Sequence, residues 1–144
     1  MITVRKAEKA DGERIAELEN AYIDCPWSKD QIVSEIESEN ACFLVADDGG
    51  EVIGYLSGEI TVDECEISNI AVAEWFRRRG VGTRLFEKFI ECVRERKVTT
   101  VFLLVRDDNT PAIGLYKAMG FEEVGRRRKY YVKDKDALIM RLNF

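Results

Sequence analysis

Between residues 41 and 73 the chain passes through three strand-like segments with almost nothing between them. "ACFLVADD" (41–48) ends at Gly49-Gly50, a turn signal, and "EVIGYLSGEITV" (51–62) follows at once. "CEISNIAVA" (65–73) comes next. Connections this short have no room for a crossover helix, so the block predicts an antiparallel meander.

The flanks of the meander complete an α/β chain. "ITVRKA" (2–7) alternates like an edge or half-buried strand, and Asp11 is placed to cap a helix carrying Ile15, Leu18 and Tyr22 on one face. Ser28 with Gln31 forms a capping box that opens a second short helix. After the meander, Val81, Leu85, Phe86, Phe89, Ile90 and Val93 fall at helical spacing. "TTVFLLVR" (99–106) is a continuous apolar run with β-branched residues, which predicts a strand buried on both faces. "DDNTPAIGLYKAMG" (107–120) reads as a helix capped by Asn109 or Thr110, with Pro111 in its first turn and Gly120 as its stop. Two closing strands, "FEEVGRRRKYY" and "DALIMRLNF", give the order β-α-α-β-β-β-α-β-α-β-β. Without repeat, low-complexity tract or linker, residues 1–144 are expected to form a single domain.

Charge and composition narrow the function classes. A net charge of −5 argues against direct nucleic-acid binding and suits a basic peptide or amine substrate. No apolar run approaches a membrane span and "MITVRKAEKA" lacks a signal-peptide core, so a cytoplasmic protein with no membrane contact is expected. Cys25, Cys42, Cys65 and Cys92 are scattered, and histidine is absent, so no metal site is expected and the cysteines are read as reduced, mostly buried thiols. Acid–base chemistry must then rest on carboxylates, tyrosines, cysteines or water.

Residues 74–89, "EWFRRRGVGTRLFEKF", join the third meander strand to the following helix. The first N–H groups of a helix lack intrahelical partners and carry the positive end of its dipole. Glycines at 80 and 82 let that backbone approach an anion, and Arg77, Arg78 and Arg79 add charge. Taken alone, the stretch reads either as an anion cradle or as a solvated basic turn. It is neither a Walker loop nor a good dinucleotide fingerprint: no Gly-Lys-Ser/Thr follows, and there is no third glycine.

Arg77-x-x-Gly80-x-Gly82 resembles the Q/R-x-x-G-x-G/A signature of the GCN5-related N-acetyltransferase (GNAT) family, and the order of elements matches that fold from end to end. "CPWS" (25–28), "SNIAV" (68–72), "LLVRDDNTPAIGLYKAMGF" (103–121) and "RRRKYY" (126–131) are similar to its RimI-type branch, the ribosomal-protein-alanine N-acetyltransferases. The resemblance implies a mixed, mostly antiparallel central sheet flanked by helices, and acetyl-CoA as co-substrate. By the same resemblance, backbone groups of Ile70, Ala71 and Val72 would hold the pantetheine arm, and the amides of Arg77, Arg78, Arg79, Gly80, Val81, Gly82 and Thr83 the pyrophosphate. Asn109 would contact the cofactor arm, and Tyr116 would sit by the thioester sulfur as general acid. An ordinary phenol, with a pKa of about 10, keeps its proton at neutral pH. The implied acceptor is a protein N-terminus, that of a ribosomal protein in this branch. A small-molecule amine, another peptide, or a non-catalytic CoA-binding module are the alternatives, and a monomer or a dimer fits equally.

One residue departs from the branch. Its strand motif reads Leu-Glu-Val-Arg, with the glutamate as proposed base, whereas here Leu104 occupies that place. An α-amine with a pKa of about 7.7–8.0 is already roughly 10–17% neutral at pH 7, against roughly 0.04% for a lysine amine. Loss of the glutamate therefore favours an α-amine substrate. Glu66, on the preceding strand, is the candidate substitute base, although its facing is open because it shares parity with Ser68 and Ile70. Tyr130 and Tyr131 match the branch's paired tyrosines, and Tyr131 is the candidate for a backbone bond or proton relay. Trp27 is read as a peptide-site wall or a core anchor, Cys25 as buried, and Glu35, Glu37 and Glu39 as a solvated helix face.

Overall fold

In the computed structural model, which describes residues 1–23, 26–72, 80–131 and 135–144 apart from the Tyr131 side chain, the meander forms as expected. Strands β2 (Ala41–Asp48), β3 (Glu51–Thr61) and β4 (Glu64–Val72) pair antiparallel, with β1 (Ile2–Lys6) added on the outer edge of β2. Strand β5 (Thr100–Arg106) joins β4 in parallel, and β7 (Lys135–Asn143) then separates β5 from β6 (Glu122–Tyr131). The result is one seven-stranded sheet in the order β1-β2-β3-β4-β5-β7-β6.

Helices α1 (Gly12–Tyr22) and α2 (Lys29–Glu37) pack on one face of the sheet, and α3 (Val81–Glu95) covers the other. Tyr55 of β3 reaches Glu19 of α1 on the first face, while the free thiols of Cys42 on β2 and Cys92 on α3 lie 3.1 Å apart on the second. Leu85, Phe86, Phe89 and Val93 of α3 are fully buried, at about 1.5–3 kcal/mol for each large side chain. Burial pushes the Cys65 thiol up to about 12 and raises that of Cys42 in the same sense, so both behave as small apolar core residues. Cys25 lies outside the described residues. Helix α4 (Thr110–Ala118) sits beside α3, with Tyr116 edge-on to Phe86.

Local signals hold where a side chain and the backbone satisfy each other. The Ser28 hydroxyl accepts from the Gln31 N–H at 3.2 Å, and the Gln31 side chain accepts from the Ser28 N–H at 2.9 Å, so the capping box of α2 closes. Asn109 caps α4 by accepting from the Ala112 N–H, and Gly120, at φ +99°, ends the segment.

Three expectations change. Asp11 precedes α1 but its carboxylate does not cap it; it takes two bonds from the Arg5 guanidinium, at 2.8 and 3.0 Å, and one from the Glu8 N–H. The Arg5 bonds hold the Asp11 carboxyl below the usual carboxylate range. Tyr22 is 36% exposed, and the buried stripe of α1 is Ile15, Leu18 and Glu19. Strand β5 is buried on one face only: Val101, Leu103 and Val105 point to the α3 side, while Phe102 and Leu104 are half-buried. Helices α1 and α2 stand over β2 to β4, so the second face of β5 is left partly open.

A bulge in β4 is the irregularity that matters for the site. Gly58 pairs with Ile67 but Ser57 pairs with Asn69, leaving Ser68 as the extra residue. A Cβ on Gly58 would lie 2.6 Å from Phe89 Cζ and 2.8 Å from Cys65 Sγ, so this strand runs against α3 too closely for any side chain. Gly58→Ala is accordingly expected to cost about 1–3 kcal/mol, a fall in Tm of roughly 3–10 °C by calorimetry. An unchanged Tm would show that Phe89 can withdraw without penalty. No helix among the described residues is long and apolar enough to cross a membrane.

Candidate active site

Strands β4 and β5 start side by side and then part. Their ladder holds at Glu64, Cys65 and Glu66 against Thr100, Val101 and Phe102 and goes no further, although β4 continues to Val72 and β5 to Arg106. On its other edge β4 stays paired with β3 as far as Val72. The segment Ile67–Ala71 thus borders a V-shaped opening between the two strands, a place where an extended ligand can meet main chain. Ile70 and Val72 are half-buried there and Ala71 is buried.

The far end of β4 leads into α3. Gly80 stands before its first residue at φ +76°, and among the described residues no atom beyond its chain neighbours lies within 4 Å of the Cβ it lacks. That left-handed turn opens space in front of the first N–H groups of a helix running from Val81 to Glu95, the geometry an anion needs. Val81 is buried, and Gly82 backs onto Leu115 of α4, 3.4 Å from where its Cβ would be. Thr83 lies in the same first turn. Arg77, Arg78 and Arg79 lie outside the described residues.

Helix α4 begins just past the end of β5, with Asn109 as its cap and Tyr116 within it. Tyr116 is only 6% exposed, its ring 5.6 Å from Phe86 and 6.0 Å from Phe121 between centroids. The loop before α4 is tied to the β6–β7 hairpin: Arg126 donates to Asp107 at 3.0 Å and to Asp136 at 2.9 Å. Asp136 also accepts from the Lys129 N–H, and that bond with the Arg126 pair holds its carboxyl below the usual range. Lys129, at φ 52°, turns the strand where Tyr130 and Tyr131 follow. Tyr130 is 53% exposed with the Arg127 guanidinium near its ring; the Tyr131 backbone pairs with Lys135.

On the opposite side of the opening, Glu66 acquires a definite facing. The bulge at Ser68 breaks the alternation, so Cys65 and Ile67 point to α3 while Asn69 and Ala71 point to α1. Glu66 does not share the side of Ile70. It lines a cleft of about 240 Å³ with Glu59, Thr61, Glu64, Ser68 and Phe102, at the point where the strands separate. Phe102 pairs with Glu66 across the ladder, and Leu104 lies two residues on along the same face of β5. Glu35 corrects another expectation: it is half-buried rather than solvated, and burial followed by the Glu59 charge pushes its carboxyl up. Glu37 and Glu39 are exposed, as expected, although Glu39 lies beyond the end of α2. Trp27 is half-buried and packs on the core. No cluster of metal-ligating side chains occurs among the described residues.

Glu19 escaped notice in the sequence. It is wholly buried, accepting from the Tyr55 hydroxyl at 2.6 Å and the Asn69 amide at 2.7 Å. Burial raises its carboxyl, opposed by Tyr55, the Trp27 backbone and Asn69. The signal was present: four residues after Ile15 and next to Leu18, Glu19 falls within the apolar stripe.

A main-chain opening, a helix start with open space before it and a carboxylate-lined cleft on the other side make up the candidate site, and the class of enzyme comes from the family the chain matches. The chain matches the acetyltransferase (GNAT) family over residues 12–121. It is 35% identical to the Bacillus subtilis putative [ribosomal protein bS18]-alanine N-acetyltransferase, over 95% of this chain and 92% of that one. It is equally similar to the Mycobacterium tuberculosis N-alpha-acetyltransferase RimI, at 35% identity over 97% and 91%. The crystal structure of the ribosomal-protein-S18-alanine N-acetyltransferase from Escherichia coli superposes with a TM-score of 0.92 at 32% identity, covering 99% of this chain and 94% of that one. The chain belongs to the acetyltransferase (GNAT) family, and it is an N-acetyltransferase that uses acetyl-CoA.

Proposed function

We propose that residues 1–144 act as one catalytic domain that acetylates the N-terminal α-amine of a protein, with an alanine-initiated ribosomal-protein N-terminus as the first acceptor to test. The observation that carries this reading is the placement of the Glu66 cleft at the crotch of the β4–β5 opening, across the sheet from the α3 helix start. The relatives named for ribosomal protein bS18 alanine support the choice of acceptor.

The described residues fit acetyl-CoA: β4 leaves its ladder with β5 after Glu66, and the space before α3 would be filled by a side chain at Gly80. Backbone groups of Ile70, Ala71 and Val72 would hold the pantetheine arm, the loop from Arg77 to Thr83 the pyrophosphate, and Asn109 the arm near its middle. When bound, acetyl-CoA supplies the acetyl group as an activated thioester. The chain's own work is then to orient a neutral amine, accept its proton, and hold a proton ready for the departing sulfur. Glu66 would take the amine proton directly or through water, and the Tyr116 hydroxyl would give one to the sulfur. Glu59, Glu64 and Glu66 draw a cationic N-terminus into the cleft. Tyr131 would bond the acceptor backbone.

Thiol release from acetyl-CoA, measured with an Ala-Arg-Tyr-Phe peptide and with its N-blocked, lysine-containing counterpart, tests the acceptor class. Release with the free N-terminus alone is the expected result, since at pH 7 a lysine amine costs about 4.6 kcal/mol to deprotonate against ~1 kcal/mol for an α-amine. Equal release with both would remove the α-amine reading. Release with neither would point to a small-molecule amine.

A further inference from the structure

Among the described residues Glu19 is the most deeply buried charge, at 0% exposure, and the partners of its carboxylate are neutral. A carboxylate in the core is a poor device for stability, because an apolar side chain of similar size avoids its desolvation cost. What Glu19 does instead is join segments. It stands on α1, it accepts from Asn69 on β4, and the Trp27 backbone, in the segment leading to α2, acts on the same carboxylate. Asn69 directly follows the bulged Ser68 and directly precedes Ile70, Ala71 and Val72. Ser68 lines the acceptor cleft, so the bonded asparagine sits between the acceptor side and the cofactor side of one strand.

We propose that Glu19 is a positioning residue: through Asn69 its carboxylate fixes the bulge and exit of β4 in the register that receives acetyl-CoA, and through the Trp27 backbone it ties the segment before α2 to that strand. The proposal rests on the reading above that Ile70–Val72 hold the cofactor arm. Tyr55, the third partner, ladders with Ala71 through its backbone, which Tyr55→Phe leaves in place, so loss of its hydroxyl alone serves as an internal control.

The test uses the full chain. Hydrogen exchange of the Ile70–Val72 amides, with and without acetyl-CoA, first checks the site itself. Steady-state kinetics then compare Glu19→Ala, Glu19→Gln, Asn69→Ala, the Glu19→Ala/Asn69→Ala double variant and Tyr55→Phe, at a temperature well below each Tm. Glu19→Ala and Asn69→Ala are expected to raise the acetyl-CoA KM about tenfold or more, and the double variant no further, because the two groups act as one unit. Glutamine keeps one carbonyl for Asn69, and the Tyr55 hydroxyl can turn to accept from its amide, so Glu19→Gln should recover most of the loss. Tyr55→Phe should lower Tm while shifting KM by no more than about twofold. If Glu19→Ala fails to fold, Asn69→Ala and Glu19→Gln still decide the matter. Slowed exchange together with an unchanged KM in Asn69→Ala and in every folded Glu19 variant overturns this inference alone. A KM shift in Tyr55→Phe as large as that in Asn69→Ala makes the network simple core packing and also overturns it. Exchange unaffected by acetyl-CoA overturns the cofactor-site reading, and this proposal with it.

Discussion

Tyr116→Phe is expected to lower kcat by about 10²- to 10⁴-fold, the usual contribution of a positioned general acid. The substitution keeps the ring, which is 6% exposed and edge-on to Phe86, so the packing between α3, α4 and Phe121 survives. What leaves is one hydroxyl, the proposed proton donor to the sulfur. The acetyl-CoA KM should therefore stay within roughly threefold of the parent, the pattern of a group that acts in the transition state rather than in ground-state binding. Circular dichroism and calorimetry on the same sample separate this from unfolding. A variant with full kcat would mean that the sulfur obtains its proton from water, and the tyrosine would be a packing residue only.

The element order was legible because each element carries its own signature. Gly49-Gly50 punctuates β2 and β3, Ser28 and Gln31 close a capping box, and Asn109 with Gly120 brackets the segment that holds α4. These are local bonds, written within a few residues. The site was less legible because its geometry comes from pairing between distant segments. The parting of β4 from β5 follows from where the ladder stops, and nothing near Glu66 or Phe102 announces it. The Ser68 bulge is equally silent, and it sets Glu66 and Ile70 on opposite faces of the sheet. The apolar run of β5 does not mean burial on both faces: Phe102 lines a cleft rather than meeting a second layer of helices, and Leu104 on the same face is half-buried. Glu19 looked like an ordinary helix carboxylate until Tyr55 and Asn69 closed on it from two strands.

Glu66→Gln is the second large effect, and its pH dependence carries the argument. At pH 7 the acceptor α-amine is mostly protonated, so loss of a base should lower kcat/KM by about 10- to 100-fold. As pH rises past an amine pKa of about 8, the free amine needs no help, and the deficit of the variant should shrink towards pH 9. A glutamine that merely disturbed binding would show the same deficit at every pH. Leu104 supplies the converse experiment. It is half-buried on the face of β5 that carries Phe102, the residue paired with Glu66, and lies about 7 Å further along the strand. Glu66→Gln/Leu104→Glu should therefore regain most of the activity, since a carboxylate is returned to the same face of the sheet from the neighbouring strand. Leu104→Glu alone adds one more carboxylate on the side that already carries Glu66, Glu64 and Glu59, so its gain should be small. If Glu66→Gln keeps full activity from pH 6 to 9, Glu66 is not the base, and water alone removes the proton. If the double variant stays as slow as Glu66→Gln, a carboxylate on β5 does not reach the amine in this chain.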